Sequence, residues 1–344
     1  MGEITRRNMN CHNNLLYLLI TARCPLSCSF CMTKHLHRNE DLEINNNTLN
    51  SLRNLSSQSG KVCISGEGDP LAAWENLLTI IESGPENINY ELITSSFWNM
   101  QRTRRLLETL SRICEAKNCT LAYRISIDQF HAKEINRDVL EILISIFVKQ
   151  KLSNASLQIR SITGQEKYVF DRLQGILQSK NIQYDITKLS EIDYKLNTNC
   201  LQIKLQFKPT VLPSNFDYLD EWPIDRYIDF LEKSRNTEFH IGLLNNSMEN
   251  PVFDTTINPD GTVVLYGAEP FVLGNITKEV FTYELLKQRV LMNKNLTDLI
   301  SARFIDLVNM WRSDSKQAEL IEKVNNPFWL IRNLHEQNLL TLHS

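Results

Sequence analysis

Apolar residues gather in short runs over the first two-thirds of the chain, with stretches of helical period between them. Leu15–Ala22 (LLYLLITA) is an almost unbroken apolar run and predicts a buried strand. Lys61–Ser65 (KVCIS), Tyr90–Ser95 (YELITS), Thr120–Asp128 (TLAYRISID) and Ala155–Thr163 (ASLQIRSIT) predict four more strands. Leu201–Lys208 (LQIKLQFK) alternates apolar and polar residues, the pattern of a half-buried strand. The segments between them, Leu42–Leu55, Ala72–Glu82, Met100–Ala116, Ile135–Val148 and Gln165–Ser179, read as helices. Strands separated by helices imply βαβ units and a parallel sheet, whose ligands bind at the carboxyl ends of the strands. The expected fold is therefore α/β.

After about Pro213 the rhythm changes. Pro223–Ser234 reads as a helix, and Pro251–Val264 as a hairpin around the turn Asn258-Pro259-Asp260-Gly261. Two long helices, Leu296–Val324 and Asn326–Leu340, are expected to pack against the rest of the chain. This change divides the chain into residues 1–214 and a small α+β extension, 215–344.

Composition narrows the function. The chain has 344 residues, 42% of them hydrophobic and 22% charged, with a formal net charge of −3. That is an ordinary globular composition without a global basic field, so no nucleic-acid partner is expected. No apolar run approaches the roughly 20 residues of a membrane helix, so no membrane partner is expected either. Leu15–Ile20 is also shorter than a signal-peptide core of about 7–15 residues, which makes the cytoplasm the default location. Eight cysteines in such a chain imply reduced thiols or metal ligands, and none lies beyond Cys200.

Three of them, Cys24, Cys28 and Cys31, form a C-x3-C-x2-C loop directly after the first strand. A structural zinc ion is one reading, but it wants four ligands, and neither His35 nor His37 completes a familiar pattern. Three thiolates without an obvious fourth suit an iron–sulfur cube with one iron open to a further ligand. Gly66–Pro70 closes the second strand, at another position where a parallel sheet places its chemistry.

The C-x3-C-x-aromatic-C loop, with Phe30 as the aromatic, resembles the signature of the radical S-adenosylmethionine (SAM) enzymes. Ser65-Gly66-Glu67-Gly68-Asp69-Pro70 is similar to that family's Gly-Gly-Glu motif, with Ser65 in place of the first glycine, and Thr94-Ser95 stands where relatives often carry Thr-Asn. The segment Arg124, Ser126, Asp128 and His131 resembles the Ser-x-Asp stretch of peptide-modifying members. The resemblance implies a partial (β/α)6 TIM-type barrel over about residues 15–210. It also implies one 4Fe–4S cluster on Cys24, Cys28 and Cys31, and SAM held near Phe30, Ser65–Asp69, Thr94, Ser95, Arg124, Ser126 and Asp128, with Arg160 toward its carboxylate. Ordinary readings stand beside these: turn chemistry for Gly68-Asp69-Pro70, surface positions for Asp128 and His131, and a paired side chain for Arg160. Cys200 is a candidate hydrogen-atom donor, as in some radical SAM epimerases, with simple packing as the alternative.

Asn258–Gly261, the strand after it and Leu273-Gly274-Asn275-Ile276 resemble the SPASM or twitch extension of the same branch. Tyr266 or Gly267 occupies the place of that pattern's cysteine, so a cysteine-ligated auxiliary cluster is not expected. The resemblance implies hydrogen abstraction from a C–H bond, on a ribosomally made peptide (epimerisation or cross-linking) or on a small molecule such as a sugar, aminoglycoside or amino acid. It also implies a flavodoxin- or ferredoxin-like reducing partner. Only about 14 residues precede the first strand, which weighs against a separate leader-binding domain. A non-catalytic cluster or zinc protein, acting as scaffold or sensor, is the reading from another class.

Overall fold

The computed structural model describes residues 14–342, apart from residues 30, 32, 136, 151, 153, 210–221 and 246. Its frame is one sheet of eleven strands. The strands are β1 (Leu15–Leu19), β2 (Lys61–Ser65), β3 (Asn89–Thr94), β4 (Thr120–Ser126), β5 (Ala155–Ile162), β6 (Tyr184–Lys188), β7 (Asp193–Thr198), β8 (Gln202–Lys208), β9 (Thr255–Ile257), β10 (Thr262–Leu265) and β11 (Gly274–Asn275). They lie in the order β11-β10-β9-β1-β2-β3-β4-β5-β8-β7-β6.

The six strands from β1 to β5 and on to β8 pair in parallel, which is the expected six-strand partial barrel. Side chains alternate across it. Leu16, Leu18, Ile64, Leu92 and Leu157 are at most 1% exposed and join the apolar core beneath the helices. Tyr17, Leu19, Ser65 and Ile93 turn the other way and line a central cavity.

The helices begin where the sequence supplies caps. Asn45 accepts from the Thr48 amide ahead of Asn46–Ser57, and Asn99 from the Arg102 amide ahead of Met100–Ala116. Several expected elements differ in detail. β1 ends at Leu19, because beyond it Thr21 makes an isolated bridge to Asp41. The helix expected over Ile135–Val148 begins at Val139 and runs to Lys149, and an unexpected short helix, Gln129–Glu134, precedes it; Asp138 and Asp128 cap the two. The single helix expected over Leu296–Val324 is three, Lys294–Ser301, Phe304–Trp311 and Ser315–Lys323. Asp314 starts the third by accepting from the Lys316 and Gln317 amides. The antiparallel pair β6–β7 is not evident in the sequence; it flanks β8 and ends the sheet.

The expected hairpin is β9–β10, closed where the Gly261 amide donates to the Asn258 carbonyl and Gly261 takes a φ of 83°. It does not stand apart. β9 pairs in parallel with β1 and continues the barrel sheet, and buried Asp254 accepts the Leu15 amide at 2.7 Å. Ser51 accepts the Phe281 amide at 2.7 Å, a second tie. The division at 214/215 falls outside the described residues, and one sheet joins what lies on either side.

This continuity sets an expectation for stability. Near- and far-ultraviolet circular dichroism should report one coincident unfolding transition for the whole chain. A chain ending at residue 214 leaves the β1 edge unpaired and should lose the cooperative near-ultraviolet transition. Two separate transitions in the full chain would contradict this coupling.

Candidate functional site

The carboxyl ends of the parallel strands open into a cavity of about 720 Å³, within the range of about 300–1,000 Å³ usual for small-molecule sites. Cys24, Cys28 and Cys31, from the loop after β1, line one side of it. Burial pushes the Cys24 thiol up to about 11 and the Cys28 thiol to about 12, and the charges of the neighbouring cysteines add to both shifts. These thiols are protonated at neutral pH until a cation takes the proton's place. Among the described residues no group of three His, Cys, Asp or Glu side chains converges on a single ion. The donor set, three thiols from one short loop, is the kind in which each thiolate of a multi-iron cluster binds a different iron. Phe30, the aromatic of this loop, lies outside the described residues.

The loop after β2 nests against the chain leaving β1. The Gly68 amide donates to the Thr21 carbonyl at 3.1 Å, and the Asp69 amide to the Arg23 carbonyl at 2.9 Å. A Cβ on Gly66 would lie 2.6 Å from the Thr21 carbonyl oxygen, and one on Gly68 only 1.9 Å from that of Arg23. Both positions therefore require glycine, for close approach of backbone to backbone. Arg23 is held in turn by an ion pair with Asp41.

Glu67 and Asp69 differ in what remains free. Glu67 is buried and pairs with Arg38 at 2.6 Å, while its carbonyl lies 3.1 Å from His37 Nε2. Asp69 is filled from within the protein. Its carboxylate accepts from the Leu71 amide (3.0 Å), the Thr94 hydroxyl (2.8 Å), the Ser95 amide (2.8 Å) and the Ser95 hydroxyl (2.6 Å). Thus Thr94 and Ser95 spend their hydroxyls on Asp69, and all three join the ends of β2 and β3.

Ser126 and Asp128 reach the same cavity from β4. Asp128 is buried, accepts the Phe130 and His131 amides at 2.9 Å and lies 2.7 Å from His131 Nδ1. Burial alone would lower the His131 pKa, but the Asp128 carboxylate outweighs it and raises the value. His131 is therefore held in one orientation by its carboxylate neighbour.

Deeper in the barrel lies a charge network that the sequence reading missed. Glu91 of β3, 4% exposed, accepts from Arg124 (3.1 Å), Lys61 (3.2 Å) and the Cys63 thiol (2.8 Å). Burial would raise its pKa, yet Arg124 and Lys61 hold it at about 2. The one signal was a single charge at an inward position of an otherwise apolar strand. Arg160 on β5 lines the cavity and donates to Gln206 of β8 at 2.7 Å.

The far wall comes from the C-terminal part. Tyr266, one of the two residues at the position of the expected cysteine, packs with a tilted ring against Tyr17 (5.4 Å between ring centroids) and Phe328 (4.9 Å). Phe328, Trp329 and Arg332 of the helix Pro327–Glu336 complete this wall, so the terminal helices pack on the barrel as expected. Glu269 also faces the cavity, and burial raises its carboxyl to about 7. Cys200 does not reach the cavity. It is exposed in the turn between β7 and β8, at the amino end of β8, whereas the cavity opens at the carboxyl ends.

No family model matches the chain, and no curated protein matches it. The chain is similar to solved structures. One is anSMEcpe with bound AdoMet, at 14% identity over 83% of this chain and 82% of that one, with a TM-score of 0.48. A second is native anSMEcpe with bound AdoMet and Cp18Cys peptide, at 13% identity over the same shares and a TM-score of 0.46. A third is Streptococcus suis SuiB bound to precursor peptide SuiA, at 11% identity over 74% of this chain and 60% of that one, with a TM-score of 0.35. The likeness is one of fold. No described helix is long and apolar enough to cross a membrane.

Two substitutions test this account. Gly68→Ala forces a Cβ into the Arg23 carbonyl and should cost about 3 kcal/mol in urea unfolding. Glu91→Gln leaves Lys61 and Arg124 without their shared carboxylate and should cost about 3 kcal/mol at neutral pH. Because the folded pKa of Glu91 lies below its ordinary value of 4.5, its stabilisation is complete above 4.5 and fades as pH falls toward about 2. The gap between wild type and Glu91→Gln should narrow over that interval.

Proposed function

We propose that the protein is a radical SAM enzyme that takes a hydrogen atom from a C–H bond of a ribosomally made peptide in natural-product biosynthesis. The observation that carries this reading is convergence: the three cysteines after β1, the Gly66–Gly68 loop after β2 and Ser126–Asp128 after β4 line one cavity at the carboxyl ends of a parallel barrel. Cys24, Cys28 and Cys31 would hold a 4Fe–4S cluster. Bound together, cluster and SAM supply a one-electron reduction and a primary carbon radical that abstracts hydrogen.

The chain's own residues do the rest. The loop Ser65–Gly68 offers backbone to the methionine part of SAM. Glu67 offers a carboxylate to its ammonium while remaining oriented by Arg38. Asp69, Thr94 and Ser95 act as the brace that keeps this loop in place. Ser126 and Asp128 stand on the strand where the ribose would lie, and Asp128 fixes His131, which holds a proton on the cavity wall. The aromatic wall of Tyr17, Tyr266 and Phe328 excludes water from the radical.

With no cysteine beyond Cys200, a redox-neutral modification such as epimerisation suits the site better than an oxidation relayed by a second cluster. The placement of Cys200 outside the cavity argues against its donating the returning hydrogen atom. The electron donor in this reading is a flavodoxin- or ferredoxin-like partner in the cytoplasm.

The test is anaerobic reconstitution with iron and sulfide, then dithionite and SAM, assayed for 5′-deoxyadenosine. Wild type should bind about four irons and release the nucleoside. The Cys24→Ala, Cys28→Ala, Cys31→Ala triple variant should do neither. Zinc in place of iron, or a loaded cluster that leaves SAM intact, would overturn the reading in favour of a scaffold or sensor.

A further inference from the structure

The carboxyl ends of β5 and β8 bring two cations together with no carboxylate set against them. Arg160 pairs in register with Gln206, and Lys208 with Ile162, so both cations sit on the inward face of adjacent strands and line the cavity. Arg160 donates to the neutral Gln206 amide, and its Nε is buried without a partner. The Lys208 ammonium makes no hydrogen bond or ion pair with any described residue.

Of the carboxylates that share the interior, Glu91 is committed to Lys61 and Arg124, Glu67 to Arg38, Asp69 to Thr94 and Ser95, and Asp128 to His131, while burial raises the carboxyl of Glu269, on the far wall, to about 7. Burial drives the Lys208 pKa well down. Of the charges it feels, Arg160, Arg124 and Lys61 repel it and only Glu91 attracts it. Arg160 is likewise lowered to about 10 by burial and by Arg124. Two like charges lining one partly enclosed cavity are unfavourable unless an anion completes the set.

We propose that Arg160 and Lys208 form an oxyanion subsite for a carboxylate carried by the substrate. On the peptide reading given above, on which only the word substrate rests, that carboxylate is an acidic side chain or the chain terminus. A guanidinium edge beside an ammonium offers donors from two directions to one planar anion. In this proposal the subsite adjoins the SAM site within the same cavity. Gln206, which holds Arg160, itself donates to Asp193 of β7 at 2.9 Å, so the guanidinium is tethered toward β8. Most of what would hold SAM follows β1, β2 and β3, toward the other end of the parallel order, and Ser126 and Asp128 of β4 stand where the two sites adjoin. Arg160 is thereby reassigned from the SAM carboxylate, its expected partner, to the substrate.

The test uses N-acetylaspartate N-methylamide, which carries one carboxylate, against its neutral asparagine counterpart. Melting temperature is followed on the anaerobically reconstituted protein, and SAM affinity is measured separately by equilibrium binding. The acidic probe should raise the wild-type melting temperature saturably, and the neutral one should not. Lys208→Met should melt about 2 °C or more above wild type without probe, having lost an uncompensated buried charge. It should also lose the probe effect, which Lys208→Arg should restore. SAM affinity of Lys208→Met should stay within about twofold of wild type, since a lost charge-assisted contact costs roughly tenfold or more. Equal probe effects on wild type and Lys208→Met, or none on wild type, would overturn the subsite. A loss of SAM affinity of that size in Lys208→Met would make the anion SAM's own carboxylate and overturn its assignment to the substrate. Failure of wild type to bind SAM with the probe effect intact would instead sink the radical SAM reading and leave the anion subsite standing.

Discussion

The close approach of two backbones, permitted by Gly66 and Gly68, is the constraint on which the site depends. The chain leaving β1 and the chain leaving β2 lie so near that one side-chain carbon at Gly68 would sit within 1.9 Å of a carbonyl oxygen. From that contact the rest is fixed in sequence. Asp69 is placed where Thr94 and Ser95 can fill it, which locks the end of β3 to the end of β2. The exit of β1 is held from both sides, and the cysteine loop starts from a rigid base. A cluster or ligand bound there would be positioned by backbone packing more than by its own contacts.

The interior of the barrel divides its charges by depth. Near the amino ends of the strands Glu91 is shared by Lys61 and Arg124, a compact arrangement with one positive charge in excess. Nearer the mouth Glu67, Asp69 and Asp128 are tied up with Arg38, with hydroxyls and with His131, so none of the three pairs with the cations of β5 and β8. Tyr266 belongs to the same economy of space. Its ring lies between those of Tyr17 and Phe328 and makes that side of the cavity an apolar wall.

Much of this was legible in the residues. The six parallel strands, the cysteine loop at the end of β1 and the glycine loop at the end of β2 follow from apolar runs broken at the right places. The misses have physical causes. β6 and β7 carry polar residues on both faces because they lie at the sheet margin, so no periodicity marks them. The long C-terminal helix breaks into three, and at the second break a capping aspartate, Asp314, outweighs a continuous apolar stripe. LQIKLQFK was read correctly as half-buried, but a barrel has no solvent side within: Lys208 lines the cavity and Gln206 holds Arg160, which is why the strand's chemistry went unnoticed. Glu91 was hidden by its partners, which come from strands 30 residues away on either side of it in the sequence.

The pairing of β9 with β1 has a consequence for how the molecule is made. The amide of Leu15 finds its acceptor on Asp254, 239 residues later. During synthesis at about 5–20 residues per second, the first strand therefore waits on the order of tens of seconds for the neighbour that covers its edge. Throughout that interval an apolar strand with open hydrogen-bonding groups is present on a partly built sheet. Such long-range closure is slow and exposes the nascent chain to mispairing. The first strand of the sheet is thus among the last to be enclosed, long after its own residues have been made.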